Sequence, residues 1–147
     1  MVVRLRYRPS LPLRVARGDE CVLPEYFRSD EKPLACHRAR LRFDQALLFS
    51  SLHRRRLEAS SACPNCGFVD ETPVHLLLDC PTFSAERSAF VAQLARFPVL
   101  RDYLRSPENL YAFVLGECDL RLPGAVRREL LRITGNYLLA IQVIRRF

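Results

Sequence analysis

Glycine is scarce in this chain, at only five of 147 residues. No glycine-rich phosphate-binding loop can be found, and neither an HExxH metalloprotease motif nor a Ser/His/Asp arrangement is present. Acidic pairs such as Asp30-Glu31 suit loop and helix-cap charges better than an acid/base pair. The sequence therefore predicts a protein that is not an enzyme and that takes no small-molecule substrate.

Long hydrophobic runs are also missing. None approaches the ~20 residues that a membrane-spanning helix needs, so we expect no membrane span. With 49% hydrophobic and 27% charged residues, the composition is that of an ordinary globular domain. Six cysteines without a signal peptide favour an intracellular, reducing compartment, of which the mitochondrial matrix is one example.

Lysine is nearly absent, because Lys32 is the only one among 23 cationic residues. The net charge of +7 is concentrated early, with 13 cations against 7 acids in residues 1–58 and 10 against 9 afterwards. A GC-rich genome alone could produce the arginine bias, but arginine also offers a planar fork that suits phosphate groups. The predicted RNA-contacting residues are Arg4, Arg6, Arg8, Arg14, Arg17, Arg38, Arg40, Arg42, Arg54, Arg55 and Arg56.

Four potential metal ligands, Cys63, Cys66, His75 and Cys80, have the spacing C-x2-C-x8-H-x4-C. Three thiolates and one imidazole complete a tetrahedral shell for Zn²⁺ and leave no open position for a substrate or a reactive water. Gly67 follows the second cysteine and can take the positive φ that a tight knuckle needs. The spacing therefore predicts a zinc knuckle over residues 63–80 that holds one structural zinc ion.

Scattered buried cysteines with a core histidine are the alternative explanation, but the ligand spacing and the following glycine would then have to coincide. The remaining candidates, Cys21, Cys36, His37 and Cys118, match no ligand spacing. We expect these to be buried small residues and a hydrogen-bonded histidine, with no second metal site.

The predicted fold is mainly α, with an extended basic arm at residues 1–34 and a zinc-stabilised helical domain at 35–147. Five arginines and no acid in the first eighteen residues suit an arm along RNA or a neighbouring subunit, or else a remnant organellar targeting sequence. Hydrophobic periodicity and capping signals predict helices from Thr72-Pro73 to Cys80 and at about 35–57 (divided at Ser50-Ser51), 82–97, 107–115 and 122–146. Residues 2–7 are the best candidate for a strand.

Four runs of sequence resemble a zinc-binding pattern of a known protein family. They are SLHRRRL (51–57), ACPNCG (62–67), ETPVHLLLDCPTF (71–83) and ER (86–87). The region from about residue 38 to 87 is similar to the zinc-binding region at the C-terminal end of LINE-type (non-LTR) retrotransposon reverse transcriptases. This resemblance implies a CCHC zinc module associated with nucleic acids, with the same four residues as ligands. The 147 residues hold no polymerase palm, RNase H or endonuclease domain, so the original activity is not expected.

Two functions from different classes fit these observations. The first is a non-catalytic structural component of a ribonucleoprotein, such as an organellar ribosome, in which arginines contact rRNA and the helices contact neighbouring protein subunits. The second is an accessory structural subunit of a large protein complex, such as a respiratory assembly, without nucleic-acid contact. A free-standing, sequence-tolerant RNA or DNA binder is a third option, which the few aromatic residues near the arm support poorly.

Overall fold

Helices form the regular secondary structure of the described residues, which are 25–43, 45–117 and 122–141 of a computed structural model. The mainly α fold is thereby confirmed. An isolated bridge pairs Ala62 with Asp70, and 3₁₀ turns occur at Pro81–Phe83, Pro98–Leu100 and Tyr103–Arg105. The α-helices are α1 (Tyr26–Ser29), α2 (Lys32–Arg42), α3 (Phe49–Arg54), α4 (Ser84–Leu94), α5 (Pro107–Val114) and α6 (Gly124–Ala140), and a π-helical turn spans His75–Asp79.

The hydrophobic core lies between α6 and the helices that pack on it. Phe90 of α4 and Tyr137 of α6 stack with ring centroids 4.3 Å apart, and Phe113 joins them from α5. Leu76 and Leu77, from the π-helical turn, are buried in the same cluster. The segment that carries two of the predicted metal ligands is therefore anchored in the main core.

Several predicted helix boundaries are confirmed. Ser106 caps α5, since its hydroxyl accepts a hydrogen bond from the amide of Asn109. Gly116 ends the same helix with φ +85°. The helix predicted at 82–97 is present as a 3₁₀ turn followed by α4, and α6 is described as far as its C-cap, Ile141.

Two predicted boundaries are corrected. The break between the two helices predicted in residues 35–57 does not fall at Ser50-Ser51. The first of these helices, α2, ends at Arg42, and the second, α3, begins at Phe49. Ser50 and Ser51 therefore lie inside α3. Residues 25–34 of the predicted arm are not extended, since they contain α1 and the start of α2. The rest of the arm (1–24) and the candidate strand at 2–7 lie outside the described residues. No helix among the described residues is both long and apolar enough to cross a membrane.

Arg38 was predicted to contact RNA, but the structure buries it completely, at 0% exposure. Its guanidinium donates to the carboxylate of Asp30 at 2.6 Å and to the carbonyl oxygens of Val114 at 2.6 Å and Leu131 at 2.9 Å. One arginine thus joins the segment before α2, the end of α5 and the middle of α6. A guanidinium committed to these partners cannot reach a phosphate at the surface, so this site assignment is wrong.

Arg42 is also buried, at 3% exposure, so the prediction that it contacts RNA is wrong as well. Its side chain donates to the carboxylate of Glu117 at 3.0 Å and to the carbonyl oxygen of Leu115 at 3.4 Å. The last carbonyls of a helix have no partner within the helix and carry partial negative charge. Arg38 and Arg42, one turn apart on α2, therefore cap the C-terminal end of α5.

Two glycines make room for the buried arginine. A Cβ on Gly135 would lie 2.7 Å from a Leu34 methyl carbon and 3.4 Å from Nη2 of Arg38. A Cβ on Gly116 would lie 2.7 Å from the ring of Tyr26 and 3.1 Å from Cδ of Arg38. The absence of a side chain at Gly135 therefore lets α2 approach α6 closely.

We predict that Arg38→Met lowers the free energy of unfolding by about 3–5 kcal/mol, because it leaves the Asp30 carboxylate buried without its cation. Urea titration followed by circular dichroism measures the change. Arg40→Met, at an exposed position on the same helix, is the control and should cost less than about 1 kcal/mol. Equal losses in the two variants would contradict the burial of Arg38.

Candidate metal centre

The donor atoms of Cys63, Cys66, His75 and Cys80 all lie within 4.8 Å of one another. The two sulfurs of Cys63 and Cys80 are 4.0 Å apart, and Sγ of Cys66 is 3.4 Å from Nε2 of His75. Cys63, His75 and Cys80 are buried, and Cys66 is partly exposed. The structure therefore brings together all four residues that the spacing singled out.

These separations match what one tetrahedral ion would need. With Zn–S bonds of about 2.3 Å and a Zn–N bond of about 2.0–2.1 Å, tetrahedral geometry places sulfurs about 3.8 Å apart and a sulfur about 3.6 Å from the nitrogen. The observed 4.0 and 3.4 Å lie close to both values. The four residues are close enough to bind a metal ion, and their arrangement is compatible with one zinc.

The knuckle that holds the first two cysteines is closed by backbone hydrogen bonds. The amide of Cys63 donates to the carbonyl of Val69, and the amide of Gly67 donates to the carbonyl of Cys63, both at 2.7 Å. Gly67 has φ +73° with no atom near its missing side chain, so glycine is needed there for the backbone conformation alone. The side-chain amide of Asn65 donates toward Sγ of Cys63 at 3.6 Å.

The second pair of ligands is presented by the π-helical turn. Thr72 caps this helix, since its hydroxyl accepts from the amide of His75 at 3.1 Å. The amide of Cys80 donates to the carbonyl of His75, five residues earlier, which is the hydrogen bond of a π-helix. Widening the turn in this way lets ligands five residues apart face the same side. The x4 gap between histidine and cysteine thus has a structural cause.

Local electrostatics favour the forms that bind a metal at two of the ligands. Burial lowers the pKa of His75, which favours the neutral imidazole that a metal requires. The backbone amide of Phe68 lowers the pKa of the Cys66 thiol, with a further contribution from the amide of Val69. Burial raises the pKa of Cys63, and a bound cation would reverse that effect by stabilising the thiolate.

Glu71 connects the knuckle to α3, a role that the sequence did not reveal. Its side chain is completely buried, and one carboxylate oxygen accepts from the amide of Phe49 at 2.9 Å, at the first turn of α3. The hydroxyl of Ser50 donates to the Glu71 carbonyl at 2.8 Å. A negative group at a helix N-terminus satisfies free amides and interacts well with the helix dipole.

The π-helical turn that carries His75 is also tied to α4 and α6. Arg87 donates to the carbonyl of Cys80 at 3.0 Å, and the hydroxyl of Tyr137 donates to the carbonyl of Leu77 at 2.5 Å. The residue four places after Leu77 is Pro81, which has no amide proton to offer that carbonyl. Both hydrogen bonds therefore supply donors to carbonyl groups at the C-terminal end of the π-helical turn.

The other predicted site residues divide into three groups. Arg40, Arg54, Arg55 and Arg56 are exposed, as a nucleic-acid contact requires. Arg38 and Arg42 are buried and are removed from the predicted interface, as described above. Arg4, Arg6, Arg8, Arg14 and Arg17 lie outside the described residues.

No second Cys/His cluster lies within the described segments, although Cys21 and Cys118 fall outside them. His37 is buried, as expected. Cys36 was expected to be buried and is instead exposed, because it lies on the outer side of α2.

Comparisons with protein families, with curated proteins and with solved structures found no match to this chain.

We expect one zinc ion per chain in the reduced protein and no metal in Cys63→Ser, because three remaining ligands bind a structural ion far more weakly than four. Native mass spectrometry gives the stoichiometry. Cys36→Ser is the matched control, since it removes an exposed cysteine outside the cluster and should keep the ion. A Cys63→Ser protein that still holds one equivalent would contradict the ligand assignment.

Glu71→Ala should destabilise α3 by about 1–3 kcal/mol, because it removes a buried acceptor from the first turn. Hydrogen exchange at the Phe49 amide should become faster. Glu58→Ala, beyond the C-terminal end of α3, is the control. The bond between His53 and Glu58 uses the backbone carbonyl of Glu58, so this substitution should leave exchange at Phe49 unchanged. If exchange at Phe49 were unchanged in Glu71→Ala, the capping role would be disproved.

Proposed function

We propose that this protein is a non-catalytic structural component of a ribonucleoprotein, stabilised by one zinc ion and in contact with RNA phosphates through arginines. The observation that carries the proposal is the Cys₃His cluster. Four protein ligands occupy every position of a tetrahedral ion, which suits a structural role and leaves none for catalysis. An organellar ribosome in the mitochondrial matrix is the proposed setting.

The resemblance to the zinc-binding region of LINE-type reverse transcriptases supports the link to nucleic acids. The residues that carry it have roles in the structure. Glu71 and Thr72 cap two helices, His75 and Cys80 contribute to the cluster, and Arg87 contacts the Cys80 carbonyl. We propose that this part of a mobile element was adopted as a binding module without its catalytic domains.

The exposed arginines support an RNA interface. Of the six predicted contacts that lie among the described residues, four are exposed, and Arg54, Arg55 and Arg56 are consecutive at the end of α3. The N-terminus of that same helix is held by Glu71, which lies between the metal ligands in sequence. Metal binding that orders the Cys₃His cluster would therefore also order α3, the helix that presents these arginines.

Exposed apolar residues favour the alternative function, a structural subunit of a protein complex without RNA. Phe68 is 84% exposed at the knuckle, and Val69 and Leu57 are exposed as well. Large apolar side chains in such positions are typical of protein contacts when they form a patch. In this alternative the protein has the same zinc ion and helical fold but makes no contact with nucleic acid.

The two functions are separated by sedimentation of tagged protein from cell extracts, with and without ribonuclease. In the ribonucleoprotein account the protein sediments with an RNA-containing particle, and ribonuclease or high salt releases it. The logarithm of the RNA association constant should fall with the logarithm of salt concentration by about 0.7–0.9 per phosphate contact. Sedimentation that is indifferent to ribonuclease would instead favour the protein-complex alternative.

A combined Arg54→Gln and Arg55→Gln variant, at the end of α3, should bind RNA more weakly and show a shallower salt dependence. Arg105→Gln with Arg132→Gln is the control, since both arginines are exposed on other elements and pair with acids three residues away. Equal weakening in both variants would indicate a general charge effect and would argue against the α3 interface.

A further inference from the structure

The turn that ends α3 contains a residue in the left-handed backbone region. Arg56 has φ +59°, its amide donates to the carbonyl of His53, and the amide of Leu57 donates to the carbonyl of Leu52, both at 2.9 Å. These two hydrogen bonds define a Schellman motif with Arg56 at C′. Glycine is the residue usually found at that position because it has no Cβ to crowd the preceding carbonyl.

The same chain uses glycine in the comparable places. Gly116 is at C′ of the Schellman motif that ends α5, where its amide donates to the carbonyl of Phe113. Gly67 also has a positive φ, although no neighbouring atom would contact a side chain there. Arg56 is the only non-glycine residue with positive φ in the described part of the chain. The arginine is therefore an exception that costs conformational free energy.

Contacts of the side chain do not compensate for this cost. Arg56 is exposed, and no hydrogen bond or ion pair of its guanidinium is found among the described residues. A cation near a helix C-terminus gains some energy from the dipole, but Arg54 and Arg55 already place two charges there. Arg55 also donates to the Ser51 carbonyl at 3.4 Å. Within the isolated fold, glycine would serve better than arginine at position 56.

We propose that Arg56 is a phosphate contact of the RNA interface and occupies a strained position because its side chain is needed there. This inference rests on the proposed function and identifies a specific contact within it. Three successive guanidinium groups at one exposed helix end suit the repeated phosphates of a nucleic-acid backbone, since each fork can bind one phosphate bidentately. Such contacts are independent of base sequence, so the turn contributes affinity and no base specificity.

The test uses the zinc-loaded full chain, with a short fluorescein-labelled single-stranded oligouridine as the probe. Arg56→Gly should weaken binding by about tenfold, the value of one charge-assisted hydrogen bond, and reduce the salt slope by about 0.7. The same variant should raise the Tm by about 3 °C, because it relieves the left-handed conformation. Opposite signs for affinity and stability are the signature of a residue kept for binding.

Two variants serve as controls. Arg56→Asn also removes the charge and tolerates the left-handed region, so it should weaken binding without lowering the Tm. Arg105→Gln removes one exposed charge elsewhere and should bind within about twofold of the wild type. A polyglutamate probe tests whether the turn recognises acidic protein instead of phosphate.

The outcomes are distinguishable. If the wild type binds oligouridine and Arg56→Gly binds equally well, the inference fails and the proposed function stands. If the wild type does not bind RNA at all, the proposed function fails and the inference with it. Equal affinity for polyglutamate and oligouridine, both weakened in Arg56→Gly, would overturn the assignment to RNA. A lower Tm in Arg56→Gly would overturn the argument from strain.

Discussion

The constraint on which the rest of the structure depends is the meeting of two short segments at four donor atoms. Cys63 and Cys66 come from a backbone-closed knuckle, and His75 and Cys80 come from a helix that ends in a π-turn. The same helix places Leu76 and Leu77 in the core. An ion held at this point would fix the knuckle to the main helical layer, and the ~10–16 kcal/mol typical of structural zinc in small peptides exceeds the stability margin of many domains.

Around this centre, charged side chains form much of the internal connection between helices. The guanidinium of Arg38 joins three elements, Arg42 caps α5, and Glu71 caps α3. Buried charges of this kind are costly unless every one is paired, so the loss of one partner should be strongly destabilising. Part of the arginine-rich composition of this protein thus has a physical use in the interior, where it connects helices.

Much of the metal site could be predicted from the sequence, because ligand spacing and helix capping are local. The gap between Cys63 and Cys66, the cap at Thr72 and the positive φ of Gly67 depend on residues close together in the chain. Arg38 and Arg42 could not be assigned in this way. Their burial depends on carbonyls more than 70 residues away, which periodicity within α2 does not reveal. The charge at Arg38 therefore suggested a surface contact that the fold excludes.

The break between α2 and α3 was misplaced for a related reason. Ser50-Ser51 resembles a local interruption, but Glu71 supplies the acceptor that lets α3 begin at Phe49, one residue before the serines. The strained turn at Arg56 was also missed, since the residue type gives no sign of a left-handed conformation there. Long-range caps and unusual backbone angles are the features that required the structure.

Zinc-edge X-ray absorption on the reduced 147-residue protein shows directly which atoms bind the ion. We expect a coordination shell of three sulfurs at about 2.3 Å and one nitrogen at about 2.0–2.1 Å, with no oxygen ligand. A shell made only of oxygen and nitrogen, or a protein that binds no zinc while its three ligand cysteines remain reduced, would contradict the Cys₃His assignment.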